Sequence, residues 1–404
     1  MGVPADQCVS QLTSVLQPIV SVRRGTILGY EALCRHQGIS DLQDPSFLFA
    51  QAAHEGWRMS LENACLQQGC RAFVDSNENE SELLLFVNVD VQLVAASPDY
   101  FDEVARTVRD WGLSSERVVL ELSEAAVEDL TSLEHFCERA REQGFLIALD
   151  DVGTAHANFE RLLAVRPTLL KLDISLITNL ATDSWKREVV GGLVVLAQKI
   201  GSLVLAEGAE RHDDIMTALE LGVDLFQGFY FAMPGYTSGD EPGIRTKIDL
   251  MRAEFTSKTM ASAEAHLARR EWMFQYAHKL SSKLSSSSRS YRESVIVDEL
   301  SSNGELECVY LLNPHGIQTT PTYQGLRSME LEGPLFQPAD IGTNHSLKHY
   351  CVPVLAGAQF HLSTPYLSWA SGTTCVTVCL RVLNTTDHFI LCIDFRAEPS
   401  QSSP

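Results

Sequence analysis

Between residues 15 and 235 the chain alternates short apolar runs with longer stretches whose apolar residues recur at helical spacing. The runs are LQPIVSV, ILGYEALCR, LLLFVNVD, RVVLELSE, FLIALDD, TLLKLDIS, LVLAEGAE and DLFQGFYF, and two of the helical stretches between them are DYFDEVARTVRDWG and SWKREVVGGLVVLAQKIG. Strands buried on both faces read as near-continuous apolar runs, and helices placed between them are the crossovers that parallel pairing requires. The pattern predicts an α/β fold, a (β/α)8 barrel, over residues 1–245. The first two runs stand too close for a helical crossover. RRGT between them reads as a hairpin turn, so the barrel is expected to open with an antiparallel strand.

After Pro234 the pattern changes. Met260, Leu267 and Phe274 recur every seven residues, with Met273, Ala277, Leu280 and Leu284 at helical spacing beside them, which predicts a linking helix within residues 246–290. The Ser-rich stretch SSKLSSSSRS is a frayed helix end or a flexible joint. Beyond it ELECVYLLNPHGIQTT, CVTVCLRVL and HFILCIDFRA read as strands of a smaller α+β domain over 291–404 with an antiparallel sheet, NPHG supplying a hairpin turn.

Charge narrows the classes of partner. Acidic residues number 52 against 31 basic ones, a net charge of -21, and such a field disfavours nucleic acid polymers and anionic membranes. A phosphate-bearing ligand would need locally placed cations. No run approaches the length of a transmembrane span, and MGVPADQCVS lacks the basic and apolar regions of a secretory signal. The ten cysteines are scattered without a CxxC pair, and several sit inside apolar runs, Cys375 and Cys379 among them. They read as reduced, buried thiols of a cytoplasmic protein, and no zinc site is expected.

Candidate chemistry begins where FLIALDDVGT stops on two adjacent carboxylates, Asp150 and Asp151. Like charges side by side repel, and such a pair asks for a proton, a cation or a metal. Polar residues stand at or near the ends of the other runs too: Glu31, Asn88, Glu121, Lys171, Glu207 and Gln227. In a TIM-like barrel the strand ends converge on one face, so these residues would share one pocket. Taken singly each reads as a strand-end cap or a surface ion pair. Repetition of the placement along the runs does not. Oxygen donors without Cys or His suit Mg2+ or Mn2+ better than zinc, and two such ions could share the aspartate pair.

GYEALCR resembles the signature of the EAL phosphodiesterases, which hydrolyse the bacterial second messenger cyclic di-GMP. The resemblance extends in order through LQPIV, FVNVD, LELSE, ALDDVGT, LLKLDIS, LAEGAE and FQGFYF, a little over half the chain. It implies that Glu31, Asn88, Glu121 and Asp150 ligate a first metal ion and that Asp150 and Asp151 serve a second. Glu207 and Gln227 would hold the metal and water network. Lys171 would orient the attacking water, with Glu31, Asp151 and Glu207 completing the catalytic group. Gln17, Leu33 and Arg35 would contact the dinucleotide together with Gln227. The implied reaction is hydrolysis to linear pGpG, by a chain that family precedent makes a homodimer.

One loop departs from the family. DDVGTAHANF stands where DDFGTGYSSL is usual, so Val152 replaces an aromatic, Ala155 a glycine and His156 a tyrosine. Glu124, the loop's anchor in the family, is retained. The change favours a rival reading, a receptor that binds cyclic di-GMP without cutting it, whereas the complete ligand set favours the enzyme. An enolase-type barrel fits poorly with the opening hairpin and with Asn88 and Gln227. The C-terminal region is similar to the PAS-like sensor folds called Cache domains. That implies a regulatory domain with a small-molecule ligand, for which Arg327, Tyr350, Tyr366 and Asp394 are candidate pocket residues.

Overall fold

The computed structural model describes residues 5–36, 46–76, 82–123, 129–153, 159–235, 237, 240–288, 290–325, 335–383 and 388–397. The chain divides into two compact units, Met1–Thr259 and Met260–Pro404.

In the first unit, eight strands close a barrel in sequence order: β1 (Leu12–Ser21), β2 (Thr26–His36), β3 (Leu84–Val89), β4 (Val118–Leu122), β5 (Leu146–Val152), β6 (Leu169–Leu172), β7 (Leu203–Ala206) and β8 (Leu225–Phe226). β1 runs antiparallel to both β2 and β8, and the neighbouring pairs from β2 to β8 are parallel. The expected opening hairpin is therefore present, its turn closed by Gly25 at φ 77. The predicted helices lie at Tyr100–Asp110 and Ser184–Ile200. The eighth strand is shorter than DLFQGFYF suggested: it ends at Phe226, and Phe229 is exposed.

Strand alternation builds two layers inside the barrel. Ile19, Phe86, Val119, Ala148, Leu169, Leu205 and Leu225 form a dry plug. Two residues further along β3 to β8 the same face carries Asn88, Glu121, Asp150, Lys171, Glu207 and Gln227. β1 runs the other way, so its matching residue, Gln17, comes two before Ile19. On β2 the close approach to β3 falls at Gly29, where a Cβ would meet the Leu84 carbonyl oxygen at 2.2 Å.

The helix Glu241–Ser286 contributes to both units. Ile244, Ile248, Met251 and Phe255 pack on the barrel core, whereas Met273, Ala277, Leu280 and Leu284 belong to the core of the second unit. The seven-residue repeat read from the sequence is not one buried seam: Met260 and Leu267 are exposed, and Phe274 meets Phe360 edge-on at 4.8 Å.

The second unit has an antiparallel sheet of β9 (Leu306–Leu312), β10 (Tyr323–Gln324), β11 (Phe360–Leu362), β12 (Tyr366–Leu367), β13 (Thr374–Leu383) and β14 (His388–Arg396). Its order is β10-β9-β14-β13-β11, with β12 also on β13. Val309, Leu311, Val378, Leu380, Leu391 and Ile393 form one core with the helical residues, while Tyr310, Leu312, Cys379, Ile390 and Cys392 face the other way. NPHG makes the expected turn, Gly316 N donating to Asn313 O at 3.0 Å. Of the candidate pocket residues, Arg327 lies outside the described residues. Tyr350 and Tyr366 stack on each other, and Tyr366 reaches Asp394 through Thr377. A separate cavity of about 290 Å³ is lined by Arg292, Asn313, Thr319, Tyr323 and His388 among others, and by none of these three.

Candidate active site

The polar layer at the barrel mouth is organised around one ammonium. Lys171 Nζ lies 2.6 Å from Glu207, 2.9 Å from Glu121, 3.1 Å from Asp150 and 3.9 Å from Glu31, with its side chain 1% exposed. Amides clamp Glu31 from two sides: Asn88 Nδ2 donates to Oε1 at 3.1 Å and Gln227 Nε2 to Oε2 at 2.5 Å. The Gln227 amide also donates to Gln17 Oε1 at 3.1 Å, and Gln17 in turn donates to the Ala232 carbonyl. All eight strands, at their ends or just beyond them, thus contribute to one hydrogen-bonded and ionic group.

Strict alternation would send Asp151 to the outside of β5, away from Asp150. The chain avoids that by a register slip against β6 between Leu149 and Val152, with Asp151 at φ 56. Its backbone N–H donates to Asp150 Oδ1 at 3.0 Å. Carboxylate oxygens of Asp150, Asp151 and Glu207 consequently lie within 4.8 Å of one another.

The electrostatics are those of a group with too few cations. Burial opposes the Lys171 charge, but Glu121, Glu31, Asp150 and Glu207 outweigh it and hold the ammonium pKa well above the ordinary value. Burial and the neighbouring Glu31 push Glu121 far up although Lys171 is only 2.9 Å away. The two directions agree once the lysine's single charge is seen to be shared among four carboxylates. Burial also raises Glu207 to about 8, with Lys171 opposing and Asp150 and Glu31 adding to the rise. Asp151 is raised by burial and by Asp150, whereas at Glu31 burial is overcome by Lys171, Gln227, Glu121 and Asn88, which together lower it. Both oxygens of Glu121 are buried without a hydrogen bond of proper geometry. Carboxylates whose pKa burial raises, buried oxygens that share a single ammonium and an all-oxygen donor set are what hard divalent cations would satisfy. The residues present fit such ions.

Leu33 and Arg35 lie two and four residues beyond Glu31 on the same face of β2, both half-buried, with the Arg35 guanidinium resting on the Cys34 carbonyl at 2.8 Å. Val152 is buried in the barrel core. Glu124, Ala155 and His156 lie outside the described residues. A second charged group escaped the sequence reading: Glu62 is buried beside the ion pair of Arg58 and Asp90, and burial followed by Asp90 raises its pKa to about 8. Its signal was available, because Arg58 and Glu62 share one helix face at i,i+4 and Asp90 caps the next helix through Gln92 N.

Comparison with known proteins gives a consistent result. The family model of the EAL domain matches residues 7–234. The uncharacterized EAL-domain protein YkuI of Bacillus subtilis is 27% identical over 267 residues, covering 65% of this chain and 65% of that protein. A cyclic di-GMP phosphodiesterase of Pseudomonas aeruginosa is 28% identical over 223 residues, 54% of this chain and 38% of that protein. The crystal structure of YkuI, in complex with substrate cyclic di-GMP and calcium, matches with a TM-score of 0.82 at 23% identity. That match covers 99% of this chain and 100% of the other and shows a shared fold. BlrP1 of Klebsiella pneumoniae, in complex with manganese and cyclic di-GMP, matches with a TM-score of 0.51 at 23% identity over 56% of each chain. The chain's matches thus span between 38% and 65% of the length of these two curated relatives. Among the described residues no helix is long and apolar enough to cross a membrane.

Proposed function

The chain belongs to the EAL-domain family, and from that premise we propose that it hydrolyses cyclic di-GMP to linear pGpG with two bound Mg2+ or Mn2+ ions. The observation that carries the reading is the convergence of four carboxylates, Glu31, Glu121, Asp150 and Glu207, on the single ammonium of Lys171, with Asp151 gathered beside Asp150 and Glu207. With Asn88 these carboxylates would hold the ions. Bound divalent ions at such a site lower the pKa of water and stabilise the attacking and leaving oxygens of an in-line displacement.

The chain's own residues supply the rest. Lys171, kept charged by its neighbours, holds a water or phosphate oxygen by donating a hydrogen bond and keeps its own proton. Asn88 and Gln227 fix both oxygens of Glu31, so its carboxylate has one orientation. Arg35 offers a cation to a phosphodiester in an otherwise acidic molecule, and Leu33 and Gln17 flank the dinucleotide. The apolar plug beneath the polar layer closes the barrel interior below the site.

The same reading makes the chain a cytoplasmic homodimer and assigns residues from about 291 onward to a PAS-like regulatory domain with its own small ligand, joined by the helix within 246–290. A second reading, a receptor that binds without cutting, is favoured by the altered loop DDVGTAHANF. One experiment separates the two: purified chain is incubated with cyclic di-GMP and Mg2+ or Mn2+, with and without chelator, and pGpG is followed. Metal-dependent pGpG is expected. Unchanged activity in excess chelator refutes the two-ion mechanism, and binding without pGpG at any metal level leaves the receptor.

A further inference from the structure

The face of the second unit's sheet turned away from its helical core gathers sulfur from three places in the sequence. β13 and β14 set Cys379 directly opposite Cys392 in the antiparallel register, with the two sulfurs 3.3 Å apart. Cys351, immediately before the short helix Val352–Leu355, supplies a third. The sulfurs of Cys351, Cys379 and Cys392 all lie within 4.8 Å of one another, and all three residues are buried. We propose that these three thiols form a binding site for a thiophilic d10 metal ion, of the class of Zn2+, Cd2+ and Cu+, separate from the oxygen site of the barrel.

Geometry supports the assignment. With metal–sulfur bonds of about 2.3 Å, three sulfurs around one ion stand about 3.8–4.0 Å apart. The 3.3 Å pair is closer than that spacing and no pair exceeds 4.8 Å, so side-chain rotation is all that the fit requires. Donor chemistry points the same way, since soft thiolates select zinc and monovalent copper over Mg2+ and Mn2+. The surroundings are dry, with Tyr310, Leu312, Val354 and Ile390 in the same cluster.

Metal binding here would be linked to proton release. Binding a divalent ion as three thiolates would displace the thiol protons to solvent and leave three metal–sulfur bonds with one net negative charge.

Two plainer accounts compete. Cysteine is a small core residue, and Cys137, alone among apolar neighbours of the barrel, is an instance. That account does not explain three sulfurs in mutual contact. A disulfide between Cys379 and Cys392 would use two of them and leave Cys351 without a role.

The test uses the full chain, reduced with a phosphine and held in excess Mg2+ to occupy the oxygen donors, and titrates it with Cd2+ while following the ultraviolet sulfur-to-cadmium charge-transfer band. Saturation at one Cd2+ per chain is expected, with at least tenfold weaker binding in Cys351→Ala and in Cys379→Ala. The double variant Cys34→Ala/Cys65→Ala should retain the band; it controls for the other close sulfur pair, 3.2 Å apart. A measurement on the unaltered chain guards against variants that fail to fold. Cd2+ should slow alkylation of Cys351, Cys379 and Cys392 together, as mapped by mass spectrometry. Absence of a band in natively folded protein, loss of the band with Cys34 and Cys65 instead, or alkylation rates unchanged by Cd2+ would each overturn the proposal. So would a Cys379–Cys392 disulfide whose reduced form takes up no metal.

Discussion

Replacing Lys171 by Met keeps most of the side chain's length and removes the one ammonium at the centre of the carboxylates. Nζ makes contacts of 2.6, 2.9, 3.1 and 3.9 Å to Glu207, Glu121, Asp150 and Glu31. At an effective dielectric of about 20, a pair of unit charges near 3 Å has a gross attraction of roughly 5–6 kcal/mol. Desolvation offsets most of it, and removing one partner of a buried ion pair costs about 3–5 kcal/mol. In a unit of this size each kcal/mol moves Tm by about 2–4 °C, so the barrel transition of Lys171→Met in chelator should fall by roughly 6–20 °C. The carboxylates can lessen the loss by taking up protons, so the deficit should grow as pH rises. Calcium supplies the missing positive charge without a lysine, and should raise the Tm of the variant by more than it raises the wild type. Thermal melts of the full chain, with and without Ca2+, measure both quantities. A variant that melts within about 2 °C of wild type in chelator, with the same calcium shift, would refute the claim that this ammonium holds the apo cluster together.

Two further outcomes follow from the barrel. Glu62 holds its proton to about 8 when folded, against 4.5 for an ordinary glutamate, so it stabilises the fold fully at low pH and that contribution is lost as pH rises from about 4.5 toward 8. Glu62→Gln should therefore be more stable than wild type at pH 8, by on the order of 1–3 kcal/mol after relaxation is allowed for. The gap should close near pH 4.5 in urea melts; a gap independent of pH would contradict the burial argument. Gly29→Ala would force a Cβ against the Leu84 carbonyl and push β2 from β3, costing about 3 kcal/mol or more and disturbing the Glu31–Asn88 contact. Unchanged Tm and unchanged metal affinity in that variant would show that the strands part freely.

The legible part of the site was the part that strand periodicity controls. Each apolar run buries its side chains in the barrel, and the polar residue two positions beyond the plug has nowhere to point but the mouth. Asn88, Glu121, Asp150, Lys171 and Glu207 could thus be placed from the pattern of each run alone. Asp151 could not, because alternation assigns it to the opposite face; only the slip in register and the left-handed backbone bring it back. The two adjacent carboxylates announced a cation site, but the sequence did not say how neighbouring residues in a strand can face one way.

The cysteines mark the same boundary from the other side. A search for local spacing found no CxxC pair and led to the expectation that no zinc site exists. Local spacing detects ligands carried on one turn, yet Cys379 and Cys392 meet because β13 and β14 pair in one particular register. A slip of one residue would turn one of these sulfurs to the helix-covered face. Cys351 joins them from a loop whose position no periodicity encodes. Ligands that single elements present can be read from a linear pattern, whereas ligands assembled by strand pairing and loop packing become visible only once the fold is known. The oxygen cluster of the barrel belongs mainly to the first kind. The three sulfurs belong wholly to the second, which is why the sequence that disclosed one site argued against the other.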